Sequence, residues 1–333
     1  MTSELWYERL HAALESTRGT AVTTPTHSFS GKVMITAANG FVEPEESRGE
    51  IASKYRQTLS RKGAAWTYSE AAVDVNYLPF FLNMAVAPVT TPTTPGGGTN
   101  SRLWTFARDM DADDIETATL IWNLHAQPLS SDYAFIDTLT LSNDASGEGG
   151  LTLDIAGTCH YPADIAVPTP AASIAGALMP SQLMSLYMDT SSGIGTTEVT
   201  GRLISATHVI TTGVTYKFLG SGPAGTLEFT KTGRDGKVAR CVTTLTLEVP
   251  DMTQYDLFTA GTHVKCRVRH NGALIEGSLY NYVQVDTYGV LKNLQWGENA
   301  GSNRSVTFTI ESIKDSTLGS DYAVMVQNAR TTL

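Results

Sequence analysis

The sequence predicts a mainly β protein of two tandem domains, each with one short α-helix. The composition is typical of β-sheets, because 45 of the 333 residues are Thr, which fits a pleated surface, and 29 Gly and 13 Pro supply turns. Apolar and polar residues alternate along several segments, and this is the period of a half-buried strand. The length corresponds to two domains at roughly 100–200 residues each.

An internal repeat supports the two-domain organisation. Three segments of the first half resemble three segments of the second half in the same order, which favours a tandem duplication. The matched pairs are residues 31–36 with 201–206, residues 76–85 with 251–260, and residues 136–155 with 285–310. We therefore place the first domain at residues 1–165, with an N-terminal arm and an inserted Thr/Pro/Gly loop at 88–100, and the second at residues 166–333. Residues 162–180, rich in Pro and Ala, have the composition of a linker.

Strands dominate the prediction in both halves. Residues 31–36 and 201–206 each open their half with a strand. Four further segments alternate apolar and polar residues and are predicted as strands with one buried face: residues 151–155, 227–230, 245–249 and 306–311. Residues 262–285 are predicted as a hairpin that turns at Asn271-Gly272, because Asn-Gly favours the type I′ turn.

Helix is expected at residues 76–85 and at residues 251–260. The second helix has Asp251 as its N-cap and Gly261 just past its C-terminal end, and these residue types are favoured at those positions. A third helix at Leu5–Leu14 is an open alternative.

The charge and hydropathy exclude several classes of protein. The formal charge of −10 lies entirely in the first half, where 10 Lys and Arg oppose 20 Asp and Glu, whereas residues 166–333 carry 13 of each. Tight binding of nucleic acid needs a cationic face, so this class is excluded. The longest apolar stretch, Ala171–Met179, is shorter than the ~20 residues of a membrane helix. The first residues have no secretory-signal pattern, so we expect folding in the cytosol and no membrane partner.

Three residues suggest a metal site at first sight. His263, Cys266 and His270 would share one face of a helix. The Val/Arg alternation around them predicts a strand instead, on which His263 and Cys266 point to opposite faces. With Cys159 and Cys241, Cys266 is one of three cysteines without CxxC spacing, so all three are expected to be buried thiols.

Other motifs give no better candidate for catalysis. Cys159 and His160 are neighbours on a predicted strand with no evident orienting acid, which argues against a nucleophile pair. The acidic run at residues 109–116 lacks the pattern of an EF-hand and indicates an exposed loop. We therefore expect no enzyme, no cofactor and no metal site.

Eight short segments follow one another in a characteristic order over nearly the whole chain. They are residues 15–20, 77–82, 104–106, 117–120 and 135–142 in the first half, and residues 187–189, 195–197 and 201–207 in the second. In this order and pattern the chain resembles the tail tube proteins of long non-contractile-tailed bacteriophages.

The resemblance implies a fold and a set of partners. Each half would be a tube-type β-sandwich or barrel domain with one helix, and three copies would form a pseudo-six-fold ring. Such rings stack into a hollow tube around a tape measure protein, and the genome later passes through it without sequence-specific contacts. The implied partners are further copies of the chain, the tape measure protein, the tail terminator and the baseplate or tail tip proteins. The implied location is the phage tail in the virion, after assembly in the host cytoplasm.

Four acidic residues are candidates for the channel wall. Asp154, Glu228, Glu248 and Glu311 lie on the outward faces of the alternating segments, together with several Thr. A short, acidic polar wall would not bind DNA, since DNA affinity comes mainly from Lys and Arg that neutralise phosphates. The alternative is that these side chains face solvent outside a tube.

A second set of residues is a candidate contact between subunits. Glu43, Glu45, Glu46 and Arg48 form a dense group of charges that would occupy a hairpin tip and meet a neighbouring copy. Exposed charge on a loop is the alternative. Open edge strands are expected to pair between subunits.

Two other functions stay open as alternatives. A tandem β-sandwich adhesin or carbohydrate-binding phage protein would need clustered exposed aromatic residues, but the five Trp are spread along the chain. A β-rich hydrolase would need an acid/base pair, and no such pair is evident.

Overall fold

The computed structural model describes residues 9–46, 54, 56–108, 115–123, 127–172, 176–190, 193–220, 227–235, 238–249, 252–298, 304–316 and 319–333. The first half contains β1 (Leu10–Leu14), β2 (His27–Phe29), β3 (Lys32–Val42), β4 (Thr58–Glu70), α1 (Leu78–Ala85), β5 (Arg102–Ala107), β6 (Ala118–Trp122), β7 (Leu129–Asp144), β8 (Thr152–Cys159) and β9 (Ala163–Asp164). The second half contains β10 (Met184–Asp189), β11 (Leu203–Thr211), β12 (Val214–Lys217), β13 (Lys231–Arg234), β14 (Arg240–Glu248), α2 (Thr253–Thr259), β15 (His263–Glu276), β16 (Leu279–Glu298), β17 (Arg304–Glu311) and β18 (Tyr322–Asn328). The chain is therefore mainly β.

One continuous sheet joins the two halves. Eight of the 16 strands that the described residues contribute to it lie in the order β3-β4-β8-β7-β11-β14-β17-β16, and we call these eight the eight-stranded sheet. Every neighbouring pair is antiparallel. The first four strands come from the first half and the last four from the second. We call the end at which β3 ends and β4 begins the upper end of this sheet.

The strand order repeats between the halves. β3-β4-β8-β7 in the first half matches β11-β14-β17-β16 in the second. The long strands β7 and β16 each continue into a second layer, where β7 pairs with β6 and β16 pairs with β15. The predicted boundary after residue 165 falls in the connection between β9 and β10, and the division into two tandem domains stays a prediction.

The apolar core is not divided between the halves. One buried cluster combines α1 and strands of the first half with residues of the second half such as Ile210, Val285 and Val324. A second cluster lies wholly in the second half. In addition, β5 of the first half pairs with β18 near the C-terminal end of the chain. Each half therefore contributes to the packing of the other.

Both predicted helices are present. All eight residues of α1 are buried, as expected for a helix that is apolar on every side. At the end of α2, Gly261 has a φ of +60° and donates to the Phe258 carbonyl at 3.1 Å, which is the predicted role of this glycine. The predicted N-cap, Asp251, lies outside the described residues. Leu10–Leu14 is strand β1 rather than part of a third helix, because it pairs with both β2 and β6.

The hairpin at residues 262–285 forms, but the predicted turn is wrong. Asn271 lies inside β15 and pairs with Tyr282, and pairing continues to Glu276 opposite Leu279. The chain turns at Gly277-Ser278, where Gly277 has a φ of +53°. Asn271-Gly272 instead coincides with a shift of the pairing register, so the strands extend beyond the local turn signal.

Candidate functional site: the open sheet face and its edges

One face of the eight-stranded sheet packs on the cores and the other is open. In β14, for example, Cys241, Thr243, Leu245 and Leu247 are buried and the residues between them are not. Hydroxyl side chains dominate the open face. They are Thr67, Ser69, Thr138, Thr140, Ser142, Thr152, Thr158, Ser205, Thr207, Thr211, Thr244, Thr246, Thr307 and Thr309. The high Thr content of the chain is thus concentrated on a surface that is both pleated and wet.

These hydroxyls form rows across the strands. Ser142, Thr207, Thr244 and Thr309 lie side by side on β7, β11, β14 and β17. Ser142 Oγ donates to Thr207 Oγ1 at 3.1 Å, and in the next row Thr246 and Thr307 share a hydrogen bond of 3.0 Å. The side chains are therefore short, and four of them bond to one another in two pairs. Sequence patterns predicted the outward Thr of β8, β14 and β17, and the same alternation at residues 138–142 would have found those of β7.

Three of the four predicted wall acids lie on this open face. Asp154 accepts a hydrogen bond from Ser69 Oγ at 2.6 Å, and Glu248 lies at the lower end of β14. Glu311 contacts Lys292 Nζ at 2.9 Å and also pairs with Arg240. The hydrogen bond from Lys292, with Arg240, holds the pKa of Glu311 below its usual value. Of these acids, Glu311 is thus paired with cations, whereas Asp154 is bonded to a hydroxyl.

The fourth predicted wall acid, Glu228, is not on a strand. Residues 227–230 are irregular and β13 begins only at Lys231, so the predicted strand is wrong. Glu228 Oε1 accepts a hydrogen bond from the Tyr161 N–H at 2.8 Å. The reason for the irregular backbone is that Phe229 packs into an apolar cluster with Tyr133 and Phe135.

His160 organises the surroundings of Glu228. Its Nδ1 lies 3.0 Å from Asp132 Oδ1 and 4.0 Å from Glu228 Oε2, and its Nε2 lies 2.8 Å from the Phe229 carbonyl oxygen. Both ring nitrogens thus face acceptors. The expectation that His160 has no orienting acid is wrong, because Asp132 is 28 residues away in sequence and is brought near by pairing of β7 with β8.

Cys159 does not share this environment. Its side chain is fully buried in the main core, and burial raises the pKa of its thiol to about 12. The Nε2 of His160 is occupied by a backbone carbonyl. These two neighbours therefore do not form a nucleophile and base pair. All three cysteines are free and buried, as predicted.

A hairpin of the second half covers the upper end of the open face. We call residues 214–220 and 227–234 the clasp; they contain β12 and β13. Phe229 of the clasp lies 5.8 Å from Phe135, ring to ring, and buries it completely. The Lys62 N–H of β4 donates to the Leu227 carbonyl at 2.8 Å. The clasp therefore rests on strands of the first half rather than on its own.

Both edges of the eight-stranded sheet are open among the described residues. β3 pairs with β4 alone. Residues 291–298 of β16 pair with β17 alone, because the pairing of β16 with β15 stops at Val290. Large apolar side chains are exposed along β3, where Met34 is 58% and Val42 57% exposed. An unpaired edge of this kind is a template for pairing with another chain.

The predicted contact residues lie at the upper end of β3. Glu43 pairs with Lys54 and Glu46 pairs with Arg56, so these two charges are matched within the hairpin, while Glu45 is exposed. Arg48 lies outside the described residues.

The remaining sequence motifs do not form a common site among the described residues. Cys266 and His270 are buried on β15, and His263 is exposed and stacks on Tyr288. Within the described part of the chain, no group of three or more His, Cys, Asp or Glu is arranged to hold a metal ion. Residues 109–114 of the acidic run lie outside the described residues.

No family model matches the chain, and no curated protein matches it. Within the described residues, no helix has the length and apolar character needed to cross a bilayer.

Proposed function

We propose that this chain is a tail tube subunit of a long non-contractile-tailed bacteriophage and that it assembles head to tail by extending its eight-stranded sheet. The observation that carries the proposal is the combination of two open edges with an open, hydroxyl-rich face on one continuous sheet. The resemblance of the sequence to tail tube proteins supplies the identity of the assembly.

The number of strands favours joining of identical copies. All seven junctions in the sheet are antiparallel, so strands alternate in direction and the first and last of eight run in opposite directions. A second copy that places its β3 beside residues 291–298 of β16 would continue the antiparallel alternation. Such pairing satisfies the backbone groups of both edges at once.

The chain already contains an example of this junction. β7 and β11 join the two halves through seven residue pairs, from Thr138 with Thr211 to Asp144 with Ser205. By strand order, β16 corresponds to β7 and β3 corresponds to β11. Pairing of β16 with the β3 of a neighbour would therefore repeat, between copies, the contact that β7 and β11 make within one copy.

The repeated junction makes a head-to-tail contact that closes into a ring. Contacts between two different surfaces of identical copies produce rings when the rotation closes. With two repeats per chain, three copies give the pseudo-six-fold ring implied by the resemblance. Stacked rings would form the tube of the virion tail, bounded by tape measure, terminator and baseplate or tail tip proteins.

The open face suits the wall of a channel for DNA. DNA affinity comes mainly from unpaired Lys and Arg that neutralise phosphates. On this face Lys292 and Arg240 are engaged by Glu311, and four of the hydroxyls bond to one another in two pairs. Lys32, opposite Ser69 at the β3 edge, is an exposed cation of the same face. A passing duplex would therefore meet mainly short polar groups and water, with few cations.

Electron microscopy of negatively stained protein over a concentration series tests the proposal. Hollow tubes or stacked rings are the expected result, and their symmetry gives the number of copies. A chain that stays monomeric at all concentrations, and also in the presence of its tail tip and tape measure proteins, would refute it.

A further inference from the structure

The two halves differ in one connection. The link between β11 and β14 contains the clasp, and the equivalent link in the first half joins β3 to β4. The clasp packs on the first half, which is its neighbour across the junction of β7 with β11. Among the described residues, β3 is the edge of the sheet, so residues 41–46 at the start of the β3–β4 hairpin tip have no second half beside them across a strand junction.

The surface under the clasp is defined by one row of the sheet. Ala65 of β4, Thr158 of β8 and Phe135 of β7 lie side by side. Phe229 and Tyr216 of the clasp lie 5.8 and 6.1 Å from Phe135, ring to ring. This row is the seat of the clasp.

An equivalent row exists in the second half. Residues 151–155 correspond to residues 306–310, so Asp154 corresponds to Thr309 and Thr158 to Ile313. Asp154 pairs with Ser69 and Thr309 pairs with Thr244. Four residues further towards the upper end, the first pair leads to Thr158 and Ala65, and the second leads to Ile313 and Arg240.

The equivalent row is not covered as the first one is. The Ile313 N–H donates to the Tyr288 carbonyl at 2.9 Å, so Arg240, Ile313 and Tyr288 form the corresponding row. We call these three residues, with Val290, the second seat. Phe135 in the seat of the clasp is completely buried, whereas its counterpart Tyr288 is only partly buried and the neighbouring Ile313 is 40% exposed.

The length of β3 places its tip beside the second seat of a neighbour. Val209 pairs with Thr140 in the junction of β7 with β11, and the equivalent residues are Asn39 of β3 and Lys292 of β16. A junction between copies that repeats this register sets Asn39 opposite Lys292, so residues 41–42 at the end of β3 extend past Leu291 to Val290 and Gly289, next to Tyr288. Phe41 and Val42 are exposed large apolar side chains, and exposed Glu45 follows them.

We propose that the second seat binds the tip of the β3–β4 hairpin, residues 41–46, of the next copy of this chain. This contact between copies would correspond to the contact that the clasp makes with the first half within one chain. The inference rests on the proposed head-to-tail assembly. It identifies a surface that would stabilise each junction between copies in addition to the paired strands.

Crosslinking of assembled protein tests this contact. In a chain that carries both Val42→Cys and Ile313→Cys, a short bismaleimide should link the tip of one copy to the second seat of the next and give a ladder of covalent multimers. Each single-cysteine variant is the matched control and should give no ladder. The three native thiols are buried and do not compete.

A charged substitution in the second seat tests the same contact independently. Ile313→Asp should raise the protein concentration needed for tubes by about tenfold, a loss equivalent to one good apolar contact. Val167→Asp, at an exposed position between β9 and β10, is the control and should assemble like wild type. Thermal unfolding of the unassembled variants checks that both fold.

The outcomes separate this inference from the proposed function. Tubes that form from the double-cysteine chain without a ladder, or equal assembly of Ile313→Asp and Val167→Asp, would overturn the inference and leave head-to-tail assembly standing. A wild-type chain that forms neither rings nor tubes with its initiation partners would overturn both.

Discussion

His160 and Phe229 link the two halves of the chain, since the imidazole Nε2 donates a hydrogen bond to the Phe229 carbonyl at 2.8 Å. Nδ1 faces Asp132 at 3.0 Å, so a ring protonated on both nitrogens satisfies both acceptors. Burial lowers the pKa of His160, but the hydrogen bonds to Asp132 and Phe229 and the nearby Glu228 raise it above its usual value near 6.5. The contacts that hold the clasp therefore favour the charged form of His160.

We expect the clasp to loosen as the pH rises. Because the pKa of His160 is higher in the folded than in the unfolded chain, its contribution is complete below about pH 6.5 and is lost as the pH rises through the folded pKa. The Lys62 N–H, which donates to Leu227, reports on the clasp. Its hydrogen exchange, corrected for intrinsic pH dependence, should lose protection at alkaline pH.

His160→Gln is the matched variant for this prediction. Glutamine can keep one hydrogen bond but cannot carry the charge, so we expect a clasp that is weaker by about 1–3 kcal/mol near pH 6 and insensitive to pH. Protection of Lys62 that is the same at all pH values in the wild-type chain would contradict the prediction.

Two other histidines, which are buried, should make the folded chain less stable as the pH falls. His208 and His270 are fully buried with ring centroids 5.8 Å apart. Burial lowers the pKa of His270 to about 4, and burial with the neighbouring His270 lowers the pKa of His208 well below 6.5. Both are neutral in the folded chain but take up protons when it unfolds below pH 6.5. They therefore remove stability as the pH falls from 6.5 towards 4.

His270→Gln isolates this effect. In the variant only His208 takes up a proton on unfolding. The free energy of unfolding should therefore decline less steeply between pH 6.5 and 4, by up to about 1.4 kcal/mol per pH unit. Denaturant titrations at several pH values measure the slope. Parallel pH profiles for wild type and variant would show that His270 is not the group responsible.

The Thr/Pro/Gly loop at residues 88–100 depends on one carboxylate. Glu276 Oε1 accepts hydrogen bonds from the N–H groups of Thr99, Asn100 and Ser101 at 2.8, 2.8 and 2.7 Å. These bonds, that of Ser101 first, lower the pKa of Glu276 to about 2. The end of the loop is thus bound within the chain.

Glu276→Gln should release this loop without unfolding the protein. A neutral amide is a weaker acceptor for three N–H groups than a carboxylate is. We expect faster proteolysis near residues 96–101 and little change in the melting temperature. Wild type should approach the same behaviour as the pH falls from 4.5 towards 2, because the protonated carboxyl loses its advantage. Equal cleavage rates for wild type and variant at neutral pH would count against the role of Glu276.

Local patterns predicted the β class, both helices and most strands of the open sheet. Leu153, Leu245 and Phe308 alternate with Thr and acidic residues, and this period is sufficient to assign their strands. Leu10–Leu14 was ambiguous because a short apolar run has no clear period. It became a strand only through pairing with β2 and β6.

The parts that were missed depend on contacts between distant residues. Phe229 leaves the strand pattern because it packs on Phe135 and His160, which are 94 and 69 residues earlier. Asp132 becomes the partner of His160 only when β7 and β8 pair. No local signal marks such contacts. The open edges were expected in general terms, but which strands are edges follows from the full strand order.

Proline substitutions on β3 test whether its open edge joins the copies. In an antiparallel pair, consecutive residues direct their N–H groups to opposite sides, so of Ala37 and Ala38 one donates towards β4 and the other towards the open edge. Proline lacks the N–H. We expect one of Ala37→Pro and Ala38→Pro to destabilise the monomer and the other to fold but fail to form tubes. Melting curves and electron microscopy of both variants distinguish these effects. Tubes of normal yield from both variants would mean that β3 is not the joining edge.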